Sequence, residues 1–130
     1  MLCHSGGERL VCPNREITQM RKLRQAFPPD ELYKAWVRCQ SCIICELLGI
    51  FPRTSRKSEA HHAGPRGLGQ TADDRTCIPL CWRHHDRNSP VSVHTLGVKF
   101  WGKFGLERFA VIAEVRRRYL VEHPEQEEAA

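Results

Sequence analysis

Ile17, Met20, Leu23 and Phe27 recur at helical spacing, with Arg21, Lys22 and Arg24 between them. Pro28 and Pro29 stop that helix, because a proline ring offers no amide proton to the carbonyl of the preceding turn. Asp30 is an N-cap for a second helix, Glu31–Arg38, with Leu32, Ala35 and Trp36 on one face. Cys39–Phe51 reads as a compact cysteine-rich turn and short strand, and Pro52–Lys57 as a basic loop. A short strand enters His61 and His62, and the glycine-rich Ala63–Gln70 is an irregular loop. Thr76–Leu80 reads as another short strand. A helix starts over Trp82–Arg87, is interrupted at Asn88–Ser92 by Pro90, and resumes over Val93–Phe104 until Gly105. Glu107–Val121 forms the last helix. Trp36, Trp101, Phe104 and Phe109 have helical spacing and read as core. The mixture predicts an α+β chain: residues 1–29 form a partly helical extension, 30–123 the main domain, and 124–130 a disordered acidic tail.

A chain of 130 residues suits one domain with a single modest core. With 41% hydrophobic and 27% charged residues, it is globular rather than disordered. The longest apolar stretch, Cys42 to Phe51, is broken by Glu46 and is far too short to span a bilayer. The first residues have no apolar core like that of a signal peptide, so the expected location is cytoplasmic, with no membrane partner. Charge sharpens the picture. Twenty Lys and Arg against 15 Asp and Glu leave +5. Residues 1–57 hold ten basic and five acidic side chains (+5), residues 58–123 ten and seven (+3), and 124–130 three Glu (−3). A basic body suits a polyanion such as nucleic acid, although a net +5 alone is equally a soluble basic surface.

Seven cysteines in so short a chain call for a chemical reason. A disulfide framework favours an even count and a secretory signal. Closely spaced Cys and His in a reducing compartment bind metal instead. Cys42-x2-Cys45 and Cys81-x2-His84 form two such knuckles, separated by 35 residues. A tight turn with two intervening residues points both side chains at one tetrahedral ion, which identifies Cys42, Cys45, Cys81 and His84 as ligands of structural zinc. Cys39 and Cys77 are rival ligands, through Cys39-x2-Cys42 and Cys77-x3-Cys81. His61, His62 and His85 are left over beside a complete zinc site, which points to a second, functional metal centre.

Ser58-Glu59-Ala60-His61-His62, Gly67-Leu68-Gly69, Asp73-Asp74-Arg75 and Ile78-Pro79-Leu80-Cys81-Trp82-Arg83-His84-His85 together resemble an HNH endonuclease of the ββα-metal fold. More narrowly the chain is similar to phage-type recombination-enhancement (Ref-like) nucleases, through Tyr33-x2-Trp36-Val37-Arg38 and the trailing His94, Gly97, Trp101 and Gly105. The resemblance covers roughly residues 31–107. It implies a small zinc-stabilised ββα domain with flanking helices that hydrolyses DNA phosphodiester bonds. It also implies that His62 is the general base and that His61 and His85 hold a catalytic Mg2+ or Mn2+, with His94 a further ligand. The middle Asn of the motif falls near Thr76, which has no amide, so Asp74 or a backbone carbonyl orients the base instead. Asn88 competes with His94 as the last ligand, because Asn88–Ser92 looks like an insertion.

Arg53, Arg56 and Lys57 precede the histidine strand, Arg66 follows it, and Arg83 and Arg87 lie on the metal-bearing helix. Such cations neutralise backbone phosphates and are expected to contact DNA. Arg116, Arg117 and Arg118 spread around the last helix and read as solvated. The resemblance implies action beside a recombinase filament. The alternatives are a non-catalytic zinc-stabilised nucleic-acid-binding or recombination-accessory module, and a structural zinc protein with a protein partner. Oligomeric state is left open.

Overall fold

A computed structural model describes residues 27–50 and 58–127. The helix expected ahead of Pro28, the loop Pro52–Lys57 and its cations Arg53, Arg56 and Lys57 lie outside the described residues. The architecture is α+β: a two-stranded sheet surrounded by short helices and one long one.

Helix α1 (Glu31–Arg38) begins as the sequence predicts, with Asp30 Oδ1 accepting the Tyr33 amide at 3.2 Å. Its inward residues are Tyr33 and Val37, whereas Leu32 is 69% exposed. Leu32 therefore does not share the buried face expected of it. The Tyr33 ring reaches across the core and its hydroxyl donates to the Cys77 carbonyl at 2.9 Å, which turns the helix by that residue.

The strand expected within Cys39–Phe51 is instead helix α2 (Ile43–Leu47). Adjacent β-branched Ile43 and Ile44 look strand-like, but among the described residues no strand pairs with them. Both are buried while the Cys42 carbonyl accepts the Glu46 amide at 3.1 Å. Tertiary packing outweighs a propensity of this size.

Strands β1 (Glu59–His62) and β2 (Cys77–Leu80) pair antiparallel, with His61 opposite Ile78 and His62 opposite Cys77. Successive residues of a strand alternate in direction, so His61 and His62 leave β1 toward different neighbours. β2 is buried along its whole length. It is contacted by α1, α2 and the long helix α6 (Arg108–Glu122), whose Val111, Val115 and Tyr119 close the core. A single 3-10 turn, Asp74–Thr76, leads into β2.

The helices between β2 and α6 are shorter than their apolar pattern predicts. α3 (Trp82–His85) ends at Asp86, whose backbone is extended. The expected helix Val93–Phe104 is two helices, α4 (Val93–Leu96) and α5 (Lys99–Lys103). Gly97 between them has φ 58° and ψ −135°, a conformation that L side chains rarely adopt. Between α3 and α4 the chain is tied down rather than loose. Ser89 is 1% exposed and its hydroxyl donates to the Arg83 carbonyl. Thr95 Oγ1 lies 2.7 Å from the Ser89 carbonyl, and Ser92 Oγ accepts the Thr95 amide to cap α4.

Two surface expectations change. Arg116 is not solvated: its guanidinium lies 4.7 Å from the Tyr33 ring centroid and 5.1 Å from that of Tyr119. Arg117 and Arg118 do face outward, paired with Glu114. Phe109 is 51% exposed and is not core, unlike Trp36, Trp101 and Phe104, which pack against the core. In the tail, Pro124–Gln126 forms a 3-10 turn. Among the described residues, no helix is long and apolar enough to cross a membrane.

Candidate metal centres

The two knuckles converge. Cys42 and Cys45 bracket the first turn of α2, and Cys81 and His84 bracket the start of α3. His84 Nδ1 lies 3.5 Å from Cys42 Sγ, 3.5 Å from Cys45 Sγ and 3.3 Å from Cys81 Sγ, while Cys45 and Cys81 sulfurs are 3.7 Å apart. A zinc tetrahedron with Zn–S about 2.3 Å and Zn–N about 2.0 Å has S···S edges of about 3.8 Å and S···N edges of about 3.5 Å. The donor set is therefore the right size and composition to bind a metal such as zinc.

Its electrostatics agree. The hydrogen bond with Cys42 holds the Cys81 thiol down, to about 3, with His84 assisting against burial. That same contact, and then burial, push Cys42 up, and burial pushes Cys45 up. Three touching thiols cannot all ionise unaided, and a dication removes the conflict. His84 is 1% exposed, its ring edge-on to Phe100 and Phe104. The rival thiols stay out. Cys39 is disulfide-bonded, and Cys77 is free but lies outside the cluster, its thiol raised to about 12 chiefly by burial.

A second cluster gathers His61 of β1, His85 of α3 and His94 of α4, with ligand atoms within 4.8 Å of one another. Ring centroids are 5.2 Å apart for His61–His85 and His61–His94, and 4.8 Å for His85–His94. His94 Nε2 and His85 Nε2 are 3.2 Å apart. His94 thus joins the group, and Asn88 lines an adjoining recess together with His85 and His94. Burial, then the neighbouring imidazoles, lower His61 to about 3. Burial and His85 also lower His94. Neutral imidazoles are the form that ligates metal. Glu59 Oε1 accepts from His85 Nδ1 at 2.8 Å, which turns Nε2 toward the cluster. Sequence reasoning missed Glu59, although its i, i+2 spacing from His61 on a strand places both on one face.

His62 pairs with a carboxylate rather than with the three imidazoles. Its Nε2 lies 2.8 Å from Oδ1 of Asp74, a carboxylate with 0% exposure. Burial alone would raise Asp74, but the Asp30 amide at 2.8 Å, His62 and Lys34 Nζ at 3.4 Å outweigh it and hold it below its ordinary value. Thr76 does not reach the histidine: its hydroxyl donates to the Asp73 carbonyl and accepts the Gly64 amide.

His61, His62, His85 and His94 all line one cleft of about 530 Å³. Arg66 lines it too, as does Arg108, which sequence reasoning did not single out because only the fold brings α6 to the cleft. Arg83 and Arg87 are exposed and do not line this cleft.

No protein-family model matches the chain, and no solved structure matches it. The uncharacterized protein YdfU of Escherichia coli (strain K12) is 33% identical over 78 residues, which is 58% of this chain. The chain spans 19% of that relative's length.

Proposed function

We propose that this chain is a metal-dependent HNH endonuclease that hydrolyses DNA phosphodiester bonds, with zinc on Cys42, Cys45, Cys81 and His84 as its structural pin. One observation carries the reading: three imidazoles converge in an open cleft whose wall also holds a histidine backed by a buried carboxylate. The order β1, β2, α3, with histidines on the first and last, supports a ββα-metal arrangement.

His61, His85 and His94 would hold the catalytic cation. Three imidazoles with no carboxylate suit Mn2+ better than Mg2+, which prefers oxygen ligands. Bound there, a divalent cation offsets charge on the phosphate and on the leaving oxygen. The remaining chemistry belongs to His62. An ionised Asp74 can only accept, so neutral His62 donates its Nε2 proton and keeps Nδ1 free to take another. As a water oxygen attacks phosphorus, its proton passes to Nδ1 and the bond from phosphorus to the leaving oxygen breaks. The imidazolium so formed is stabilised by the Asp74 carboxylate, with Lys34 fixing that carboxylate from behind.

The test is incubation of supercoiled plasmid with purified protein and Mn2+ or Mg2+. Nicking or linearisation is expected, and is expected to disappear in His61→Ala and His85→Ala. An intact plasmid with either metal at neutral pH overturns the hydrolytic reading in favour of a non-catalytic zinc-stabilised nucleic-acid-binding module.

A further inference from the structure

The cleft in front of the three histidines has an unusual charge pattern. Among the described residues its lining includes two arginines and four histidines but not one Asp or Glu. Arg66 comes from the loop after β1, and Arg108 from the first residue of α6. Among the described residues neither is held in an ion pair, whereas Arg75, Arg116, Arg117 and Arg118 each have a carboxylate within 4 Å. Arg108 is instead fixed against an aromatic face, its guanidinium 4.6 Å from the Phe109 ring centroid. A cation in a cleft with no acidic partner and a restrained side chain is arranged for an external anion.

The other approach to the histidines differs. A recess of about 270 Å³ shares His85 and His94 with the cleft, but there Glu59 and Asp86 accompany Arg87. Two carboxylates at that mouth repel a phosphate backbone and cancel the benefit of the single arginine.

We infer that Arg66 and Arg108 form a phosphate clamp that draws a nucleic-acid strand through the cleft, and that Arg87 lies off that track. This rests on the nuclease reading for the identity of the anion, a phosphodiester backbone. It goes further by fixing the side from which the strand enters and by assigning Arg108 a role.

The test uses the full chain with its zinc, no added divalent cation, and fluorescence anisotropy on a labelled single-stranded oligonucleotide and the matching duplex, across a salt series. Each clamp arginine neutralises one phosphate. Arg66→Gln and Arg108→Gln should each flatten the slope of log K against log salt by about 0.7 on the single strand and about 0.9 on the duplex. The loss should be equal on two unrelated sequences, because phosphate contacts carry no sequence information. Arg87→Gln should leave the slope unchanged, and melting temperature and zinc content should be the same in all three variants.

Unchanged slopes in Arg66→Gln and Arg108→Gln, or an equal drop in Arg87→Gln, overturn the clamp. So does a wild-type protein that binds neither probe. The two readings fail separately: flattened slopes in a protein that never cuts plasmid uphold the clamp and sink hydrolysis, while a cutting protein with unflattened slopes sinks only the clamp.

Discussion

His84 and His85 are neighbours in the chain, yet His84 is 1% exposed among three thiols and His85 lies at the wall of an open cleft beside two other imidazoles. The first cluster draws its four donors from two tight turns and is complete without solvent. The second draws three donors, among the described residues, from three separate elements. A closed set of four has no position left for a reacting group, whereas a set of three has one. Closure, rather than ligand identity alone, separates a fold-stabilising site from a reactive one.

Breaking the closed site should have the largest effect. Zinc binding energy is also folding energy, on the order of 10–16 kcal/mol for small zinc sites. Cys45→Ala is therefore expected to unfold the chain, by circular dichroism, and elemental analysis of the wild type should find stoichiometric zinc. A folded, unchelated sample free of zinc would refute the structural assignment. His85→Ala should leave the melting temperature close to that of the wild type.

Next in size is the base. His62→Ala should slow cleavage by ~10²–10⁴-fold while zinc content and DNA affinity hold steady. Full activity in that variant would move the base elsewhere, most plainly to His61.

The open cluster itself comes third. His94→Ala should raise the Mn2+ needed for half-maximal cleavage by roughly tenfold or more, and Asn88→Ala should not. A shift in Asn88→Ala alone would exchange their roles. Glu59→Gln probes the same cluster more gently. Glu59 orients His85 from a 59% exposed position, so the effect should sit at the low end of the ~10–100-fold range for such partners.

The smallest effect concerns acid. In the metal-free protein His61 is lowered to about 3, first by burial and then by His85 and His94. An unfolded imidazole titrates near its usual value of about 6.5. Between those values the unfolded chain binds a proton that the folded one refuses, so stability falls as pH falls. His61→Ala should flatten that decline in an acid titration of protein that keeps its structural zinc and has no added divalent cation. An equally steep decline would show that other groups carry it.

How far these features were legible depends on the range of the contacts behind them. The knuckles were readable because two intervening residues fix a turn wherever they occur. Asp30 was readable as a cap because capping is local. Helix α2 was not, since Ile43 and Ile44 take their conformation from distant core residues. The split at Gly97 was not either, because an apolar pattern continues through a glycine whatever its backbone does. Arg116 against Tyr33 and Tyr119, and Arg108 in the cleft, both depend on where the last helix docks. Similarly, Cys77 could be separated from Cys81 only once the strand turned its thiol into the core.

The segment fastened by Ser89 and Thr95 has a geometric consequence. At about 100° per residue, the nine positions from His85 to His94 would carry an uninterrupted helix through about 900°, leaving the two side chains half a turn out of phase. By stopping at Asp86 and restarting at Val93, the chain resets its angular phase and brings both imidazoles to one side. The stretch from Asp86 to Ser92 works as a clutch between two rotors, and its length is a tuning variable. Removing one residue there would rotate His94 without touching a single ligand, degrading the open cluster while the closed one kept its four donors.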